Sequence, residues 1–189
     1  MNVATATQLS EQDVAPKHAI AVEDAGFGAL RPSGKRFGTL VHAVLATLPL
    51  DGSASEVTEL AALHAKLFGA TDDERAAAAA VAIKLLKHPR LIAARSAAAA
   101  GRRVWREAPI SLRIETARAG EPEDPALPTL VDGQVDLAYE TEDGWVIVDF
   151  KTDIEIASAQ DAYKQQVALY VEAVQQATGQ KASGVLLRV

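Results

Sequence analysis

The chain has 189 residues, 49% hydrophobic and 23% charged, with 19 Lys+Arg against 25 Asp+Glu and no cysteine. That length suits one domain, or one domain with an appendage, and buries enough surface to need no covalent staple. The absence of cysteine excludes a disulfide framework, a thiolate zinc site and an iron–sulfur cluster. A formal charge of −6 argues against a generic polyanion-binding surface, because such binding rests on Lys and Arg neutralising phosphates. Apolar runs such as Ala76 to Ile83 fall short of the ~20 residues that cross a bilayer. The expectation is therefore a soluble cytoplasmic protein with no membrane partner.

Residues 1–35 carry Pro16, Gly26, Gly28, Pro32 and Gly34 without a hydrophobic period, which reads as a poorly ordered arm or linker. Apolar residues then recur at helical spacing from Gly38 to Leu48, with His42 among them, until Pro49 stops the run. A second helix is expected from Ser55 to about Phe68, ended by Gly69. Thr71 and Glu74 form a capping-box pattern ahead of an alanine-rich helix reaching about His88, and Pro89 and Gly101 bracket one more. The first half is thus helical. One stretch there, Gly28 to Arg36, has the look of a phosphate-binding loop. It has five residues between its glycines instead of four, Arg36 where a hydroxyl must reach magnesium, and no strand expected before it, so no ATPase is expected.

The pattern changes at Val104, where β-favouring residues alternate as far as Glu115 before a Gly/Pro/acidic loop over about Ala119–Pro128. Leu130–Glu140 and Trp145–Lys151 read as two strands of a hairpin. A helix from about Ser158 to Thr178 and a strand over Gly184–Val189 complete the chain.

The hairpin decides which side chains meet. A four-residue loop, Thr141 to Gly144, puts Asp136 opposite Asp149, whereas a two-residue turn at Asp143-Gly144 puts Asp136 opposite Lys151. Either register places Asp136, Asp149 and Lys151 on one face, because side chains alternate along a strand. Facing carboxylates repel, and Asp149 lies in the apolar run Trp145-Val-Ile-Val-Asp-Phe150, where an unpaired charge is costly. A divalent cation resolves both problems, and oxygen ligands suit magnesium or manganese. Lys151 is then placed to hold a phosphate or orient a water.

These segments carry a resemblance. Gly133-Gln-Val-Asp-Leu-Ala-Tyr139, Val148-Asp-Phe-Lys-Thr-Asp153 and Tyr163-Lys-Gln-Gln-Val-Ala-Leu-Tyr170 together resemble the RecB/AddA-type nuclease domain of the PD-(D/E)xK superfamily. Arg36-Phe-Gly-Thr-Leu-Val-His42 is similar to the helix that brings a histidine to the metal in that group. The resemblance spans residues 36–189 and implies an α/β fold with a restriction-endonuclease-like core, a mixed β-sheet flanked by helices after a helical N-terminal half.

The same resemblance implies that His42, Asp136, Asp149 and the backbone carbonyl of Phe150 ligate Mg²⁺, with Mn²⁺ as a substitute. Lys151 is then the catalytic lysine, and Gln166 and Tyr170 belong to a Tyr-x-x-Gln-x-x-x-Tyr motif beginning at Tyr163. Glu107 is expected behind the ligands. The implied activity is metal-dependent hydrolysis of DNA phosphodiester bonds, exonucleolytic, on single strands or ends. Its implied setting is the nuclease part of a helicase–nuclease in break processing and recombinational repair, with a helicase motor domain in the same or a partner chain. The competing reading is an inactive nuclease-fold module that binds DNA or protein. Arg90, Arg95, Arg102, Arg103 and Arg106 are either a track for a DNA backbone or solvated faces.

Overall fold

The structure is a computed structural model that describes residues 2–10, 18–27, 31–115, 128–152 and 156–189. The loop expected over Ala119–Pro128 lies outside the described residues as far as position 127, as does Asp153 of the motif. In chain order the elements are β1 (Asn2–Thr5), α1 (Ala6–Ser10), β2 (Ile20–Asp24), α2 (Lys35–Thr47), α3 (Ala54–Phe68), α4 (Asp72–Leu85), α5 (Pro89–Ala99), β3 (Val104–Glu115), β4 (Pro128–Thr141), β5 (Gly144–Lys151), α6 (Ile156–Thr178) and β6 (Ala182–Arg188).

Local chemistry explains most boundaries. Ser53 and Thr71 each exchange side-chain and backbone hydrogen bonds with the glutamate three residues on, closing capping boxes at the starts of α3 and α4. Gly69 ends α3 in the left-handed conformation. His88 caps α5, whose first residue is Pro89.

The sheet is mixed and α/β, as the PD-(D/E)xK resemblance implies, with strand order β1-β4-β5-β6-β2 and β3 on the far side of β4. One edge of β4 pairs antiparallel with β3 from Pro128 to Tyr139. Its other edge is divided: Leu137 to Thr141 pair with β5, and Thr129 to Asp132 pair parallel with β1. Helices α2 to α5 cover one face of the sheet over Leu137, Tyr139, Val148, Phe150, Val185 and Leu187. Ala6 of α1 and the α6 residues Tyr170, Val171, Ala173 and Val174 pack on the other face, against Leu112, Val131, Val135, Ala138, Trp145 and Ile147.

Within residues 1–35, the described stretches 2–10 and 18–27 carry strands and a short helix where a loose arm is expected. β1 fills the part of the β4 edge that β5 leaves, β2 extends the sheet beside β6, and Thr5 and Gln8 cap α1 reciprocally. A short strand needs little hydrophobic period when its partner's backbone groups are waiting, so composition alone misreads it. A strand, β2, therefore does precede the Gly28–Arg36 stretch. Arg36 itself is committed elsewhere, holding Glu74 of α4 through both carboxylate oxygens at 3.0 Å.

α6 and β2 both come close to β6 at Gly184, where an added Cβ would meet Val167 Cγ1 and Ile20 Cδ1 at 2.7 Å. Gly184→Ala is expected to lower stability by about 1–3 kcal/mol, the cost of overpacking a core. The midpoint of a urea melt measures it.

Candidate metal centre

The site forms where β4 and β5 part. Their ladder ends at Leu137–Val148, one position short of the two acids. Beyond that point the Asp136 carboxylate does what a backbone carbonyl would have done: its Oδ2 accepts the Phe150 amide at 2.7 Å. The register is the one that sets Asp136 toward Asp149, turning through Glu142-Asp143 with Thr141 paired to Gly144.

The other side of β4 is irregular at the same level. Glu107 is the position skipped between the Arg106–Leu137 and Ala108–Val135 pairs, opposite Asp136. Its φ of 47° is a left-handed conformation that costs a non-glycine residue about 1–3 kcal/mol and marks functional sites. Alternation slips there in both strands. Val135 and Ala138, three apart, both face the core under α6, as do Trp105 and Ile110, five apart. The simple period-two face argument therefore fails at this level, and the acids meet in the fork between strands.

Helix α2 delivers His42. Gly38, one turn earlier, lies so close to the end of β5 that an added Cβ would sit 2.9 Å from Thr152 Oγ1. Arg106, the neighbour of Glu107, donates to the Leu45 and Leu48 carbonyls at the C-terminal end of α2. With both ends held, His42 Nδ1 reaches Asp136 Oδ1 at 3.2 Å. Ligand atoms of His42, Glu107 and Asp136 lie within 4.8 Å of one another.

Asp149 is 3% exposed. Its Oδ2 is 2.8 Å from Lys151 Nζ as an ion pair, yet it takes no aligned hydrogen bond. Lys151 Nζ also donates to Gln166 Oε1 at 3.2 Å and sits 4.8 Å over the Tyr163 ring. Gln166 Nε2 in turn donates to the Tyr170 hydroxyl at 2.9 Å. Tyr170 is seated by Gly133, where a Cβ would come within 2.6 Å of the ring.

Electrostatics match a cation-seeking site. Burial, with Asp136 adding to it, raises the Asp149 carboxyl to about 6 despite Lys151. Burial and then Asp136 raise Glu107 as well. Burial opposes charge on His42, but the hydrogen bond and field of Asp136 outweigh it and its pKa rises. His42, Glu107 and Asp136 lie within ligand range of one another, with the buried Asp149 beside them and outside that range, and the two acids with raised pKa values lack enough positive charge nearby to hold them ionised. This donor set fits Mg²⁺ or Mn²⁺.

The structure places the expected site residues around the fork: His42 and Asp136 in ligand range of each other, Asp149 paired with Lys151 beside them, and Gln166 and Tyr170 in line behind the lysine. The contact seen for Phe150 is its amide on Asp136, whereas its carbonyl is the expected ligand. Glu107 stands nearer than expected, within ligand range of His42 and Asp136. The available signal was two adjacent charges, Arg106-Glu107, interrupting an apolar alternation. The arginines are mostly committed within the fold. Arg90 pairs with Glu23, Arg102 with Glu142 at 2.8 Å, Arg103 with Glu140 at 3.0 Å, and Arg106 holds α2. Arg95 is exposed on α5.

A family model for the PD-(D/E)XK nuclease superfamily matches residues 17–189, and the chain belongs to that superfamily. Among curated proteins it is similar to an ATP-dependent helicase/nuclease subunit of Bacillus velezensis, 35% identical over 94 residues, covering 43% of this chain and 8% of that protein. The subunit of the same name from Listeria welshimeri is 35% identical over 94 residues, covering 44% and 8%. That of a Thermoanaerobacter species is 38% identical over 55 residues, covering 27% and 4%. The chain therefore spans less than a tenth of the length of these relatives. Among the described residues no helix is long and apolar enough to cross a membrane.

Because the folded carboxyl of Asp149 titrates near 6, above the ordinary aspartate value of 3.8, the folded state holds that proton more tightly than the unfolded chain. The group's contribution is most favourable below the unfolded pKa and is lost as pH rises toward 6. Asp149→Asn is therefore expected to raise the melting temperature of the metal-free protein at about pH 7.5, while abolishing stabilisation by Mn²⁺. A thermal-shift series with and without the ion checks both signs.

Proposed function

We propose that this chain is a metal-dependent deoxyribonuclease domain that hydrolyses phosphodiester bonds in single-stranded DNA or at DNA ends. The carrying observation is the fork itself, in a PD-(D/E)XK chain. His42, Glu107 and Asp136 converge on one point, and Asp149 pairs with Lys151 at 2.8 Å beside it. Mg²⁺, or Mn²⁺ in its place, would be held by His42, Asp136 and Asp149 with the Phe150 carbonyl, and by Glu107. When bound, the ion supplies Lewis acidity toward the phosphate and the attacking water.

The remaining work falls to side chains of this protein. Lys151 presents its ammonium to the water and to the negative charge that grows on the phosphate oxygens. Gln166 and Tyr163 limit where that ammonium can go, since one accepts its hydrogen bond and the other offers a ring face. Asp149 draws the Lys151 ammonium toward the fork, and Tyr170 fixes Gln166. We take residues 36–189 as the catalytic unit, with the N-terminal strands as its support. The relatives are named as helicase/nucleases, and a helicase motor is the partner we assign to supply DNA. Exonuclease action in break repair is the reading favoured by that partnership.

Lys151→Ala is expected to cut the cleavage rate of a labelled single-stranded oligonucleotide by about 10²–10³-fold, the usual cost of a lost transition-state donor. The Mn²⁺ thermal shift should survive in that variant. Undiminished cleavage would remove the lysine from the mechanism, and a metal-binding wild type that cleaves neither linear nor circular DNA would favour the inactive module. Degradation of linear but not circular single strands would establish the end-dependent mode.

Metal affinity should also fall with acidity. Binding requires Asp149 ionised and His42 neutral; Asp149 titrates at about 6, and the neighbouring Asp136 raises the His42 pKa above its ordinary value, so protons compete with the ion. Calorimetric titration is expected to give affinity that climbs from about pH 5.5 to about 7.5 and then levels. A flat profile would exclude these two groups as ligands.

A further inference from the structure

We infer that Thr7, in the helix α1 that precedes the family-matched residues, is a positioning residue for the catalytic lysine. The inference rests on the nuclease reading above and adds a residue to it. Lys151 is donor-only, so Gln166 must turn its Oε1 toward the ammonium. Both protons of the Gln166 amide then need acceptors. One is the Tyr170 hydroxyl at 2.9 Å, and the other is Thr7 Oγ1 at 3.2 Å. Gln166 is only 9% exposed, so an amide proton left without an acceptor carries a desolvation cost that favours another rotamer.

Thr7 is itself aimed. The Thr5–Gln8 capping exchange closes the turn around it, β1 is clamped to β4 from Thr129 to Asp132, and Ala6 is buried against the Tyr170 side of the core. The same turn lines a cleft of about 560 Å³ with Gly133, Gln134, Pro109 and Tyr170. Thr7 thus joins the cleft wall to the chain of contacts Gln166–Lys151–Asp149. The contact that links it to the lysine is its hydrogen bond with Gln166, and it acts through that residue.

The test uses the full chain with Thr7→Val, which keeps the shape and removes the hydroxyl, and Thr7→Ser, which restores it. The expected result for Thr7→Val is a kcat lowered about tenfold, the worth of one hydrogen bond, with KM unchanged, a melting temperature lowered by no more than the loss of that one bond, and activity recovered in Thr7→Ser. In the metal-free protein, the Gln166 side-chain amide resonances, assigned with Gln166→Leu, should move in Thr7→Val and return in Thr7→Ser. Unmoved resonances, wild-type kcat in Thr7→Val, or a loss that appears in KM or is not rescued by serine would each overturn the inference. A wild-type chain that cleaves no DNA sinks the nuclease reading and the catalytic role with it, while the amide spectrum still decides whether Thr7 sets Gln166.

Discussion

The parting of two strands is the constraint on which the rest depends. β4 and β5 stay hydrogen-bonded up to Leu137–Val148 and then diverge, and the Asp136 carboxylate takes the amide that the ladder abandons. A continued ladder would have left the two acids facing each other across a sheet, at a cost that no nearby cation fully offsets. Divergence opens room between them, lets a histidine enter from the helical side, and leaves Lys151 on the α6 side. The site therefore draws on both faces of the sheet through a gap in its middle.

The surrounding structure is arranged to hold that gap open. Arg106 fastens the C-terminal end of α2 to β3, Arg36 fastens its start to α4, and the absent side chain at Gly38 lets it approach Thr152. The strained Glu107 backbone sits opposite Asp136, so both neighbours of the fork depart from regular geometry at one level. Such departures persist only where packing on either side over-determines them, and here two separate core clusters do so.

Charge is distributed to the same end. The chain is acidic overall, its arginines are largely committed to glutamates or helix carbonyls, and the fork concentrates three carboxylates around one histidine and one lysine. A polyanionic substrate is repelled by such a surface until a divalent ion reverses the local sign. On the proposed reading, metal binding and substrate binding would be a single electrostatic event, which reconciles a charge of −6 with a DNA substrate.

Much of this was legible in residue order. Capping boxes, proline stops and helical periods set α2 to α5, and the spacing from Asp136 to Asp149 placed the acids near each other because a hairpin is a local structure with few registers. The linear pattern also contained His42, Lys151, Gln166 and Tyr170 as motif members. Only the tertiary structure decided that Glu107 stands beside Asp136, because the segment joining their strands carries no register information, and that Arg106 supports a helix instead of facing DNA. It likewise placed the first residues of the chain in the sheet, since β1 is chosen by the open edge along β4, far away in sequence. Periodicity reports what a segment does with its own neighbours; open strand edges, close approaches and buried ion pairs arise from partners that the order of residues does not name.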